Sequence, residues 1–123
     1  MRRAPDARMT PKELKDRTKR FAVDIVRLCR ELPTTLDGKT VAQQVIRCGT
    51  SVGANYRASC RARSRAEWIA KLGVVEEEAD ETLFWLEVAV DAKLITAKRA
   101  EALLKEADEL TAIFVASLKT AKS

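Results

Sequence analysis

Apolar positions in this chain recur at three- and four-residue spacing in four separate runs, the period of helices that each bury one face. In the first run, Leu14, Thr18, Phe21, Ile25, Leu28 and Leu32 share a stripe, preceded by Thr10-Pro11-Lys12-Glu13. That tetrapeptide offers a Thr N-cap, a Pro at the first helical position and a Glu placed to close a capping box. Pro33 ends the run, and Asp37-Gly38 marks a turn within a loop from Thr34 to Lys39. A second helix is predicted from Thr40, with Gln43 at the capping-box position and an inner stripe of Val41, Val45, Cys48/Gly49, Val52, Tyr56 and Ser59. A third begins at Ser64, where Ser64-Arg65-Ala66-Glu67 is another capping box, and its inner stripe is Trp68, Leu72, Val75, Ala79, Leu83, Leu86 and Val90. Thr96 caps a fourth, striped by Ala100, Leu103/Leu104, Ala107, Leu110, Phe114 and Leu118. Amphipathic helices joined by short loops predict an all-α fold, an antiparallel up-and-down four-helix bundle. The bundle is expected over residues 10–118, with a flexible basic arm at 1–9 and a frayed tail at 119–123.

Three features depart from a plain amphipathic pattern. Gly49 and Gly53 lie four apart in the second helix, where each glycine costs about 1 kcal/mol relative to alanine. Close approach of a neighbouring backbone is one reason for them, and chance is the other. Asn55 sits at the edge of the same inner stripe and is expected to be a half-buried polar group that fixes packing against helix 1 or helix 3. The third helix is apolar on two sides. Val74, Phe84, Trp85 and Val88 fall away from its inner stripe, beside Ala70, Gly73, Glu77 and Glu81. A helix apolar on two faces must bury both, so the second face predicts an interface between subunits. That interface is assigned Val74, Glu77, Glu81, Phe84, Trp85 and Val88, with Arg47 of the second helix. If helices 2 and 3 fold back near Arg63, Arg47 lies level with Ala79 and reaches the carboxylates at 77–81, within the chain or across a subunit boundary.

Composition narrows the chemistry. The chain has 123 residues, 23 Lys and Arg against 18 Asp and Glu, a net charge of +5 and a pI near 9.3, enough for one domain with its own core. It has no histidine, which removes the commonest general acid–base and the commonest zinc ligand. The carboxylates at 76, 77, 78, 80 and 81 spread around more than half of a helix, so they do not converge on a metal. Neither a metal site nor a cofactor is expected, and no nucleophile has a visible base, so no enzymatic activity is expected. Cys48 and Cys60 are about 18 Å apart on one helix, too far for a disulfide. Buried free thiols suit a reducing cytoplasm. No apolar run approaches a membrane span, and the N-terminus lacks the apolar centre of a signal peptide.

The cations cluster where a basic turn joins helices 2 and 3. Arg57, Arg61, Arg63, Arg65 and Lys71 face a single acid, Glu67, and an up-and-down topology puts this turn at the same end as the N-terminus of helix 1. With Arg2, Arg3 and Arg8 of the arm, these residues form the candidate nucleic-acid-binding set. The expected contacts are to phosphates, with little sequence specificity, because no aromatic residue is interleaved to stack on bases. A protein–protein scaffold that binds no nucleic acid is the alternative.

Phe21-Ala22-x-x-Ile25-Val26, Leu32-Pro33, Gln44-Val-Ile-Arg47, Ser51-Val52-Gly53-Ala54-Asn55-Tyr56, Trp68-Ile69-x-Lys71-Leu72 and Glu81-Thr82-x-x-Trp85-Leu86 together resemble a bacterial four-helix-bundle family. Its members are known as 23S rRNA intervening-sequence or S23-type proteins. The resemblance covers roughly Thr18 to Ile95. It implies a small bundle that assembles into a ring, commonly a pentamer, with a basic surface and no enzymatic activity. It also implies kinship with the accessory protein of diversity-generating retroelements, which binds nucleic acid and a reverse transcriptase. Many relatives carry an acid shortly after the asparagine. Here Asn55 is followed by Tyr56-Arg57-Ala58-Ser59-Cys60, which makes this turn more basic than the pattern.

Overall fold

Every helix among the described residues begins at a hydroxyl that accepts from an otherwise orphaned backbone amide. The computed structural model describes residues 9–123, and these form four helices: α1, Pro11–Cys29; α2, Leu36–Ser59; α3, Arg65–Asp91; and α4, Ala97–Lys122. Thr10 caps α1 in a complete capping box, accepting from the Glu13 amide at 3.1 Å while Glu13 accepts from the Thr10 amide at 3.0 Å. Ser64 caps α3 and Thr96 caps α4, as their sequences predict. Consecutive helices pack side by side in an up-and-down bundle, and α1 meets α4 along a thinner seam. The basic arm expected at the N-terminus lies, through residue 8, outside the described residues.

The α1–α2 connection lies four residues earlier than predicted. α1 ends at Cys29, and α2 begins at Leu36 with Thr35 as its cap, not Thr40. Thr40 lies inside α2, its hydroxyl donating to the Leu36 carbonyl at 2.8 Å. The reason is local. The Asp37 carboxylate accepts from the Thr35 hydroxyl at 2.5 Å and from the Gly38 amide at 2.9 Å, bonds that hold its carboxyl below the usual range. Negative charge in a first turn also suits the helix dipole. A side chain at position 38 would sit 2.0 Å from the Pro33 carbonyl oxygen, so the tight entry needs a glycine there. Asp37-Gly38 therefore opens a helix instead of marking a loop. At the other end, Pro33 disfavours helical geometry at Leu32, and the chain leaves α1 through tighter bonds such as Glu31 amide to Leu28 carbonyl, 2.9 Å.

The core holds Phe21, Ile25 and Leu28 from α1, Val45 and Val52 from α2, Leu72, Val75 and Leu86 from α3, and Leu110, Ile113 and Phe114 from α4. Burying each side chain of this size contributes about 1.5–3 kcal/mol. Tyr56 tilts against Phe114 with ring centroids 5.5 Å apart. The paired glycines have a packing reason: a Cβ on Gly49 would lie 2.9 Å from Ile25, and one on Gly53 would lie 3.3 Å from the Thr18 backbone. They let α1 and α2 approach closely.

Three local expectations are corrected. The inner stripe of α3 is Leu72, Val75, Ala79, Thr82, Leu86 and Ala89, while Trp68 is exposed and Leu83 and Val90 are half-buried. Trp68 lies in the first turn, at the bundle's end, where the core runs out. Thr82 takes an interior place because its hydroxyl donates to the Glu78 carbonyl at 2.7 Å. Asn55 is half-buried, but it donates to the carbonyl and hydroxyl of Ser51 in its own helix, at 2.9 and 2.6 Å, so it does not clamp α2 to a neighbour. Finally, the expected frayed tail is helical through Lys122, with Ala121 buried and Arg65 donating to the carbonyls of Ala121 and Ser123.

Candidate nucleic-acid interface

At one end of the bundle the α2–α3 turn, the start of α1 and the last turn of α4 come together, an arrangement held by Arg65 reaching from α3 to the α4 carbonyls. The turn is short because Cys60, Arg61 and Ala62 leave α2 in tight turns and Ser64 caps α3 at once. Arg57, Arg61 and Arg63 are exposed, and among the described residues their side chains have no ion pair and no hydrogen bond. The Arg63 amide alone is engaged, donating to Glu67 at 3.3 Å. Lys71, nearly two turns into α3, is half-buried. Arg65 differs from its neighbours, because its guanidinium serves the C-terminal carbonyls of α4, where a cation also suits the helix dipole. Arg2, Arg3 and Arg8 fall outside the described residues. The continuation of α4 brings Lys119 and Lys122 to the same end, a contribution that an expected frayed tail concealed.

Along the sides of the bundle Arg17, Arg47 and Arg99 are occupied, whereas Arg20, Arg27 and Arg30 of α1 have no ion pair among the described residues. Arg17 grips Glu106 of α4 through two bonds of 2.7 Å and reaches Glu109 at 3.2 Å, and the Glu106 bond raises its pKa further. Arg99 of α4 donates to Glu31 at the end of α1 at 2.8 and 2.9 Å, which holds the Glu31 carboxyl below its usual range. Arg47 pairs with Glu78 at 3.4 Å and with Glu81 of the same chain, and also donates to Gln44. The predicted reach from Arg47 to the α3 carboxylates is thus met within the chain.

The second apolar face of α3 divides in two. Val74 and Phe84 are 41% and 54% exposed. Trp85 and Val88 are half-buried and pack against the core, with the Trp85 indole N–H donating to Glu81 at 3.3 Å and its ring edge-on to Phe84, centroids 5.3 Å apart. Glu77 is exposed on this face and Glu81 is half-buried beneath Arg47.

Cys29 and Cys48 are buried and Cys60 is exposed, all as free thiols. Burial pushes the Cys29 thiol up to about 11 and also raises Cys48, which suits packing more than reactivity. Burial, and then a hydrogen bond with Cys60, keeps the Tyr56 phenol protonated. Among the described residues no three His, Cys, Asp or Glu side chains are grouped to hold a metal, and no helix is long and apolar enough to cross a membrane.

The model of the 23S rRNA-intervening sequence protein family matches residues 12–116, which spans all four helices. The chain belongs to that family. A solved relative of the S23 ribosomal protein family, a protein of unknown function from Bacteroides thetaiotaomicron, is 34% identical, with a TM-score of 0.82 over 90% of this chain and 99% of the other. No curated protein matches significantly. Membership agrees with the resemblance carried by the Phe21, Ser51–Tyr56 and Glu81–Leu86 segments, and it extends the match into α4, where only the apolar pattern was visible.

Proposed function

We propose that this chain is a non-enzymatic, oligomeric bundle of the cytoplasm that binds RNA or DNA through phosphate contacts at its cation-rich end. What supports the reading is one contrast: among the described residues Arg57, Arg61 and Arg63 extend unpaired from the α2–α3 turn, whereas Arg17, Arg47 and Arg99 are tied to carboxylates. Unpaired arginines beside Lys119 and Lys122 offer phosphate groups a positive surface with nothing to displace. Association supplies avidity, since each copy repeats the patch. A ring of five, and service beside a reverse transcriptase or within another ribonucleoprotein, enter this proposal from the family resemblance alone. The test is a filter-binding titration against structured RNA and duplex DNA across salt concentrations, with the Arg61→Glu/Arg63→Glu protein alongside. Salt-dependent binding that disappears in the variant, with its oligomer intact, is the expected result. Absence of salt-dependent binding by the wild-type protein at micromolar concentration would overturn it.

The second reading, a scaffold without nucleic acid, draws on the exposed Val74 and Phe84 of α3. It predicts that the same arginine reversals change neither a binding partner nor the oligomer.

A further inference from the structure

Two exposed apolar surfaces lie on different sides of the bundle, and they carry opposite charge. One is the outer face of α3, where Gly73, Glu77, Asp80 and Phe84 follow one another at helical spacing with Val74 beside them. The other is a shelf across α1 and α2. Val23, Val26 and Ile46 are 42%, 36% and 39% exposed there, around a shallow recess shared by Ala22, Val26 and Thr50. Lys19, Arg27 and Arg30 line the same recess. Among the described residues none of these three cations has an ion-pair partner, and neither do Glu77 and Asp80 on α3. Each surface therefore shows exposed apolar side chains flanked by charges that are unsatisfied within the chain and of opposite sign to the other's.

Gly73 supplies a separate sign. Gly49 and Gly53 accommodate neighbours inside the chain, but a Cβ on Gly73 would meet nothing within 4 Å. A glycine in the middle of a 27-residue helix weakens it without benefit to the isolated subunit. The open space leaves the α3 backbone accessible from outside at this point.

We infer that the α3 face of one copy docks on the α1–α2 shelf of the next, with Phe84 and Val74 laid against Val23, Val26 and Ile46, and with Glu77 and Asp80 facing Lys19, Arg27 and Arg30. The inference rests on the association proposed above and names the surface that receives α3. Because the two surfaces differ, the contact is head-to-tail: every docked copy leaves one shelf and one α3 face for further copies, so assembly closes into a ring or continues. The fit is by shape at Gly73, by apolar area at Phe84 and by charge at the rims.

The experiment uses Phe84→Glu, which spoils the α3 face, and Val26→Glu, which spoils the shelf, with mass read by light scattering. Each variant alone is expected at the mass of one chain, 13.7 kDa. Mixed, they form pairs and go no further, since one intact α3 face meets one intact shelf. Gly73→Leu guards against misreading a folding defect: its helicity by circular dichroism is expected to stay at the wild-type level while its mass falls towards that of one chain. An oligomer that survives Val26→Glu but not Phe84→Glu would overturn the shelf assignment and leave association standing. Variants that are each folded single chains but fail to pair on mixing would overturn the head-to-tail contact. A wild-type chain that is monomeric at high concentration would overturn association itself.

Discussion

Arg17, Arg47 and Arg99 on the sides of this bundle and Arg57, Arg61 and Arg63 at its α2–α3 end carry equal charge, but the fold treats the two sets differently. On the sides, Arg17, Arg47 and Arg99 each reach a carboxylate on another helix or its end. At the end, Arg57, Arg61 and Arg63 reach none among the described residues. Arg65 stands between the groups, adjacent to the turn yet committed to the α4 terminus. Net charge therefore says little about where a polyanion would bind. The relevant quantity is the charge left after intramolecular pairing, and among the described residues that remainder includes Arg57, Arg61 and Arg63 at one end and Lys19, Arg27 and Arg30 along α1.

Substitutions on the two sides of that division separate stability from surface charge. Replacing Arg17 by Met should have the largest effect. It strands the partly buried Glu106 carboxylate on the thin α1–α4 seam, at a cost of about 1–2 kcal/mol by analogy with other charged hydrogen bonds. A fall in thermal midpoint of roughly 4 °C or more, read by circular dichroism, is expected. Arg65→Ala comes next, loosening the last turn of α4 at a cost of about 0.5–1 kcal/mol, as for cations elsewhere at helix C-termini. Faster amide exchange confined to residues 119–123 would mark it, and unchanged exchange there would show that Arg65 belongs with the unpaired group. Glu31→Gln should cost stability at neutral pH and fall silent in strong acid. The folded Glu31 carboxyl is held below its usual range by Arg99, so its contribution is present above the ordinary glutamate value near 4.3 and is lost as pH falls through the depressed folded value. The variant should therefore lose less stability than the wild type between neutral and strongly acidic pH. Smallest of all is the effect of Arg61→Gln/Arg63→Gln on stability, within about 0.5 kcal/mol, as expected of exposed side chains without partners.

Much of the fold was legible because it rests on local chemistry. Thr10, Ser64 and Thr96 announce three helix starts through hydroxyl caps, and Ile25, Val52, Leu72 and Phe114 show the period that buries them. What was misplaced depends on packing that a linear pattern does not contain. Thr35 and Thr40 are equally plausible caps until the Pro33 carbonyl is seen pressing on Gly38. The phase of α3 was blurred because apolar residues surround it, so Trp68 was drawn into the stripe and Thr82 was left out. The final turn of α4 looked free because its partner, Arg65, lies 56 residues away. For the candidate site, the cluster of arginines was visible in the sequence, but the commitment of Arg65 to structure and the arrival of Lys119 and Lys122 were not. The α1–α2 shelf was missed altogether, since Val23 and Val26 on α1 and Ile46 on α2 become one surface only after the helices pack.

The most direct test removes equal charge from the two groups of arginines. Arg57→Gln/Arg61→Gln/Arg63→Gln is compared with Arg17→Gln/Arg47→Gln/Arg99→Gln in duplex-DNA binding at several salt concentrations, at a temperature where both stay folded. Removing the end arginines is expected to flatten the dependence of log K on log salt by about 0.9 for each phosphate that is no longer neutralised, while removing the side arginines leaves the slope near the wild-type value. Equal flattening in the two variants, or a wild-type slope in the first, would contradict a binding surface made of the arginines at the α2–α3 end.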